Sequence, residues 1–231
     1  MNASLPPSRT RSEYSKGTMN RRRFPFWVIL AGVAAVAIYL ATATGFLKVN
    51  TLTLALVFAI GPLAIIGMLS VSDRLSPNRG SLAVRAGLIF LIIAFAFFTM
   101  MLVVQQTIFI QFQQFQSDAP NEETVQTLKY VFKGVNLVQL GMDVGFDVFY
   151  CFGMILFAAA MIPHPDFGRF LGIFGVISAA GLLILNIAAF PFIPADSGLV
   201  DLGPLTGVWW LLVIGQMLRL RRREKKSVVT Q

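Results

Sequence analysis

The sequence predicts an all-α polytopic membrane protein with six transmembrane helices. Three observations carry this expectation. First, apolar runs occupy roughly residues 25–47, 51–72, 84–106, 136–162, 168–190 and 204–218, and five of them reach the about 20 residues that a helix needs to cross the hydrocarbon layer. Second, the chain is 56% hydrophobic, gathered into those blocks, which fits one membrane domain and not a soluble one. Third, the cations fall on one side. With a cytoplasmic N-terminus, the inner segments hold Arg9, Arg11, Lys16 and Arg21–Arg23, then Arg74, Arg79 and Arg85, then Arg169. The C-terminal tail adds Arg219, Arg221–Arg223, Lys225 and Lys226. Of 19 Lys and Arg residues, Lys48, Lys129 and Lys133 alone fall outside. Cations flanking apolar spans resist translocation, so both termini are expected in the cytoplasm.

The expected organisation is a disordered basic tail at 1–23, a six-helix domain at 24–218 and a basic tail at 219–231. Residues 1–20 are rich in Ser, Thr, Asn and Pro, a composition that buries too little to fold. Arg21-Arg22-Arg23-Phe24 resembles a twin-arginine export signal, and Ala41-Thr42-Ala43 a cleavage site. The apolar run between them is longer than a signal core, which favours an uncleaved first helix. That helix carries Ala31, Gly32, Ala34, Ala35 and Ala37, small residues that mark close helix contacts in lipid. Lys48-Val49-Asn50 reads as an outer turn. Gly61-Pro62 predicts a kink in the second helix. Pro77-Asn78-Arg79-Gly80 reads as an inner turn.

The third run continues into a polar stretch, Gln105, Gln106, Gln111, Gln113, Gln114 and Gln116, with Phe109, Phe112 and Phe115 at every third residue. After a polar break, Val125, Leu128, Phe132 and Val135 follow three-four spacing. Helices 3 and 4 are therefore expected to extend as an outer hairpin. The alternative is that both segments lie flat on the outer surface. The fourth run ends at Pro163. Gly168 and Gly172 open the fifth with a small-xxx-small contact signal. The outer loop 191–203 holds Asp196 and Asp201, and the sixth helix begins near Pro204.

Chemistry concentrates in the fourth run. At about 100° per residue, Asn136, Gln139, Asp143, Asp147 and Tyr150 share one face, with Lys129 and Lys133 above them. Gly141 and Gly145 lie nearly opposite. Charge inside a membrane is costly, so such residues face a cavity or a partner. Two carboxylates about 6 Å apart also repel. The functional readings are a proton relay or a cation site, with Asp196 and Asp201 approaching from the same side and four carboxylates in principle suiting a hard cation. The structural reading is a hydrogen-bonded lock on Gln105, Gln106, Asn186 or a backbone amide, with Asp201 a simple cap before Pro204. Lys129 and Lys133 are the candidate cationic partners.

The remaining residues exclude more than they assign. Cys151 is the one cysteine, within an apolar helix, and reads as a packing residue. The one histidine, His164, lies between prolines and reads as a turn residue. No His/Cys metal set can be built, and whether the carboxylates hold a metal stays open. No hydrolase, zinc-protease or phosphate-loop motif is present, so an enzyme is disfavoured and no cofactor is expected. The net charge of +8 is distributed as topology signals, not as a nucleic-acid patch. The expected partner is the lipid bilayer. The basic tails suit anionic headgroups, and a protein partner or homo-oligomer is left open. The leading expectation is proton- or cation-linked handling of a small solute through an outward-facing acidic cavity. The alternative is a non-catalytic membrane subunit or sensor that contacts a partner through the outer hairpin.

Asp143-Val-Gly-Phe-Asp147-Val-Phe-Tyr150, Pro163-His-Pro-Asp-Phe-Gly168, and Asp196 to Pro204 followed by Gly207-Val-Trp-Trp210 also carry a resemblance. Over roughly residues 136–218 the chain resembles a family of uncharacterised bacterial multi-helix integral membrane proteins, a domain of unknown function. The resemblance implies a bacterial inner membrane. It implies no activity, substrate or catalytic residue.

Overall fold

The computed structural model describes residues 26–43, 46, 51–76 and 81–229. The basic tail at 1–23 and the turns at Lys48-Val49-Asn50 and Pro77-Asn78-Arg79-Gly80 lie outside them. The described chain is all-α: α1 (Phe26–Ala43), α2 (Thr51–Leu75), α3 (Leu82–Ser117), α4 (Glu122–Met161), α5 (Gly168–Ala189) and α6 (Gly203–Val229), with a 3-10 turn at Ala195–Ser197. Helices α2, α3, α4 and α5 are long and apolar enough to cross a membrane, and α1 holds a shorter apolar stretch, Trp27–Thr42. This points to a lipid bilayer as the surroundings. The outer side of α5 fits it, since Ile173, Ile177, Ile184 and Ile187 are all exposed.

Local chemistry sets the helix ends. Ser81 Oγ accepts the Val84 N–H, and Asn121 Oδ1 accepts the Thr124 N–H at 2.9 Å. Glu122 and Glu123 follow in the first turn of α4, where acids complement the helix dipole. Pro163 stops α4. Gly168 then opens α5 with φ +79°, a left-handed conformation natural to glycine. Helix α2 runs unbroken through Gly61-Pro62. Helix α6 does not stop near residue 218 but continues through the basic segment to Val229. Arg, Lys and Glu are good helix formers, so this continuation is intrinsically favourable.

Close packing at glycines brings the helices together. A Cβ on Gly67 would lie 2.7 Å from the Gly32 Cα, so α1 and α2 cross with backbones in contact. A Cβ on Gly153 would lie 2.9 Å from the Gly87 carbonyl oxygen, which sets the α3–α4 crossing. In lipid, where burial of apolar groups does not drive helices together, such approach supplies the attraction. The main core joins Leu91, Met154, Phe157, Ala179 and Val213 from α3 to α6. Trp209 is fully buried in it and donates Nε1–H to the Leu171 carbonyl at 2.7 Å.

Helices α3 and α4, of 36 and 40 residues, are about 54 and 60 Å long at about 1.5 Å per residue. Both exceed the about 30 Å of a hydrocarbon core. They stay paired to the turn at 118–121. The Phe112 and Phe132 rings pack in a tilted arrangement with centroids 4.5 Å apart near that tip. The segment is thus a helical hairpin and not two surface-lying pieces.

Candidate functional site

Asp143, Asp147 and Tyr150 recur at i, i+4 and i+7 on α4, and this face turns inward. It lines a cavity of ≈ 740 Å³ to which all six helices contribute. The polar lining gathers where α3 and α4 pass the start of α6: Gln105, Asp143, Asp147, Tyr150, Asp201 and Thr206. The rest of the wall is apolar, with Ile60, Phe98, Met101, Leu211 and Met217 among its members.

The Asn186 side chain of α5 lies within hydrogen-bonding reach of Asp147. The Asn186 amide also donates to the Leu182 carbonyl at 3.1 Å and is buried. Asp201 caps α6, its Oδ1 accepting the Gly203 N–H at 2.7 Å. The same carboxylate is close enough to act electrostatically on both Asp143 and Asp147. Below them, the buried Tyr150 hydroxyl interacts with Thr206 and Trp210. Among the described residues no Lys or Arg pairs with any of the three carboxylates. Like charges gathered in a low-dielectric site need a compensating proton or cation.

Other predicted members of the site lie elsewhere. Asn136 is exposed and Gln139 half-buried, and neither lines the cavity. The polar face of α4 continues past the cavity because α3 and α4 outrun the other helices. Gln106 does not line the cavity, whereas Gln105 does. Lys129 and Lys133 are exposed on the hairpin, where the Lys133 ammonium sits 6.0 Å from the centre of the Tyr130 ring. Asp196 is exposed in the 3-10 turn and does not reach the cavity. A four-carboxylate hard-cation site is therefore not assembled, and no group of three or more acidic, His or Cys side chains is placed to hold a metal among the described residues. Of the two glycines behind the acidic face, Gly145 packs on the Phe97 ring while Gly141 meets open space. Cys151 is fully buried as a packing residue, and His164 is a turn residue whose Nδ1 accepts the Asp166 N–H.

At the end opposite the acids, the structure builds a polar knot around Arg74, which the sequence alone presents as a topology charge. Arg74 Nε donates to Asp166 Oδ2 at 2.7 Å, and Nη1 donates to Glu224 Oε1 at 2.7 Å. The Gln216 amide donates to the Asp166 carbonyl. Together these tie α2, the α4–α5 turn and α6. The chain matches no protein-family model, no curated protein and no solved structure.

Proposed function

We propose that this chain is a six-span protein of a bacterial inner membrane that handles a small solute through an outward-facing acidic cavity, in a proton- or cation-linked manner. One observation carries the reading: Asp143 and Asp147 line a cavity shared by six helices, with Asp201 beside them and no Lys or Arg paired with them among the described residues. A structural lock would satisfy both acids with donors. Here Asn186 serves one of them, and a third acid, Asp201, acts electrostatically on both. A carboxylate open to the cavity binds either a proton or a cationic solute. Because the two exclude each other, binding of one releases the other, and that competition couples them.

The topology is the one the cation distribution favours, with α1 and the apolar part of α6 as the shorter spans. Helix α1 has 18 residues, about 27 Å, a mismatch that local thinning and snorkelling absorb. The Arg74 knot then lies on the cytoplasmic side and holds the inner end together while the acidic end faces out.

A carbodiimide test needs no knowledge of the solute. Dicyclohexylcarbodiimide is apolar and adds to carboxyl groups that take up a proton in apolar surroundings. In native membranes it should modify Asp143 or Asp147, read by mass spectrometry, and the adduct should disappear in the Asp143→Asn/Asp147→Asn variant. Wild type without any adduct at either position would mean a sealed lock, and the reading would fail.

The hairpin supports a second reading, a subunit or sensor that binds a partner there. Phe109, Phe115, Tyr130, Leu137 and Val138 are exposed along it. Cross-links from Tyr130 to one defined protein in native membranes would favour that reading.

A further inference from the structure

We propose that the solute is an amphiphilic organic cation, an amine or quaternary onium centre on an apolar, partly aromatic body. This assignment of ligand class rests on the acidic-cavity reading above. The volume of ≈ 740 Å³ lies within the about 300–1,000 Å³ of small-molecule sites and far exceeds a bare ion. No three ligating groups converge for a metal among the described residues, so an inorganic cation would leave most of the cavity unfilled.

The wall has two chemistries in one space. At one end stand three carboxylates with which no Lys or Arg pairs among the described residues. Next to them runs a cluster of rings. Phe146 stacks on Tyr150 at 5.1 Å, Phe95 meets Phe146 edge-on at 5.9 Å, and Phe98 meets Phe95 at 6.0 Å. All four line the cavity. Ring faces attract a desolvated cation, and Asp147 adds the full charge. Beyond the rings the wall is aliphatic and thioether, including Met68, Met101 and Met217, whose flexible side chains adapt to varied apolar shapes. The Trp210 indole N–H is buried at the same wall beside the Tyr150 hydroxyl, without a hydrogen bond of normal geometry, and offers a donor to a bound molecule. A neutral solute could not replace the proton that compensates the acids, and an anion would be repelled. A cation with an apolar body satisfies both parts of the wall.

Two probes of the same shape and opposite charge test this directly: tetraphenylphosphonium and tetraphenylborate. Equilibrium binding to the full chain in zwitterionic nanodiscs, corrected with empty discs, should be saturable for the phosphonium. Its affinity should exceed that of the borate by at least about tenfold. The Asp143→Asn/Asp147→Asn variant should lose the preference, and Asp196→Asn, whose carboxylate lies outside the cavity, should keep it. Equal binding of the two probes, tighter borate binding, or no saturable phosphonium binding overturns the assignment. If the double variant does not fold, the wild-type comparison and the single Asp147→Asn variant decide. A carbodiimide adduct on wild type without phosphonium preference refutes the ligand class and leaves the cavity reading standing. Failure of both experiments removes both.

Discussion

Replacing Gly153 with alanine should loosen the protein at the α3–α4 crossing. The new Cβ would stand 2.6 Å from Leu91 Cγ, 2.9 Å from the Gly87 carbonyl oxygen and 3.0 Å from Leu91 Cδ2. Leu91 is fully buried and has no room to swing away, and the carbonyl belongs to the α3 backbone. The two helices must therefore separate. Overpacking of this kind costs about 1–3 kcal/mol. Alanine recovers up to about 1 kcal/mol through its better helix propensity. The net expectation is a loss of up to about 2 kcal/mol, since close packing is the chief attraction between helices in lipid. Gly141→Ala on the same helix is the control, because nothing lies within 4 Å of its added Cβ. Thermal unfolding in a mild detergent should place Gly153→Ala below wild type and Gly141→Ala at or above it. Equal midpoints for the two variants would refute the crossing geometry.

Three further perturbations follow from the structure. Asp147→Asn keeps a polar neighbour for Asn186 and should change stability little, whereas Asp147→Leu leaves the buried Asn186 amide with only its Leu182 bond and should cost about 1–3 kcal/mol in the same unfolding assay. Arg74→Met removes two 2.7 Å charged hydrogen bonds and should cost about 1–3 kcal/mol. It should also speed amide exchange over residues 219–229, and unchanged exchange there would show that Glu224 does not anchor the end of α6. Phe132→Asp places a charge against the Phe112 ring and should expose residues 107–135 to protease. Phe115→Asp, at an exposed position, should not.

Length and periodicity made much of the fold legible. Apolar runs of spanning length became α2 to α5, and the three-four pattern around Phe112 and Phe132 became the hairpin. The face carrying Asp143, Asp147 and Tyr150 follows from helical geometry alone, and two of its candidate partners, Gln105 and Asn186, do meet it: one beside the acids on the cavity wall, the other within hydrogen-bonding reach of Asp147. The sequence marks Asp201 as a cap before Pro204 but does not show which of Asp196 and Asp201 reaches the cavity. Both sit in one irregular loop, and only its folded path delivers Asp201 to the cavity. The Arg74 knot was hidden for another reason. Its partners lie 92 and 150 positions away in sequence, and Arg74 already had an explanation as a topology signal. The apolar cavity wall was also illegible, because hydropathy alone does not separate a Met or Leu that lines a cavity from one that faces lipid.

The central claim is that the acidic end of the cavity opens outward in a six-span protein with cytoplasmic termini. Thiol labelling in a Cys151→Ser background tests it most directly. Gly207 lines the cavity and has no atom within 4 Å of an added Cβ, so a cysteine fits there without strain. With an impermeant reagent on intact cells, Asn121→Cys, Ser197→Cys and Gly207→Cys should label. Ser12→Cys, Ser81→Cys and Ser227→Cys should label only after permeabilisation. Labelling of Ser81→Cys in intact cells with none at Asn121→Cys would invert the topology, and an unreactive Gly207→Cys beside a reactive Asn121→Cys would close the cavity to the outside and contradict the claim.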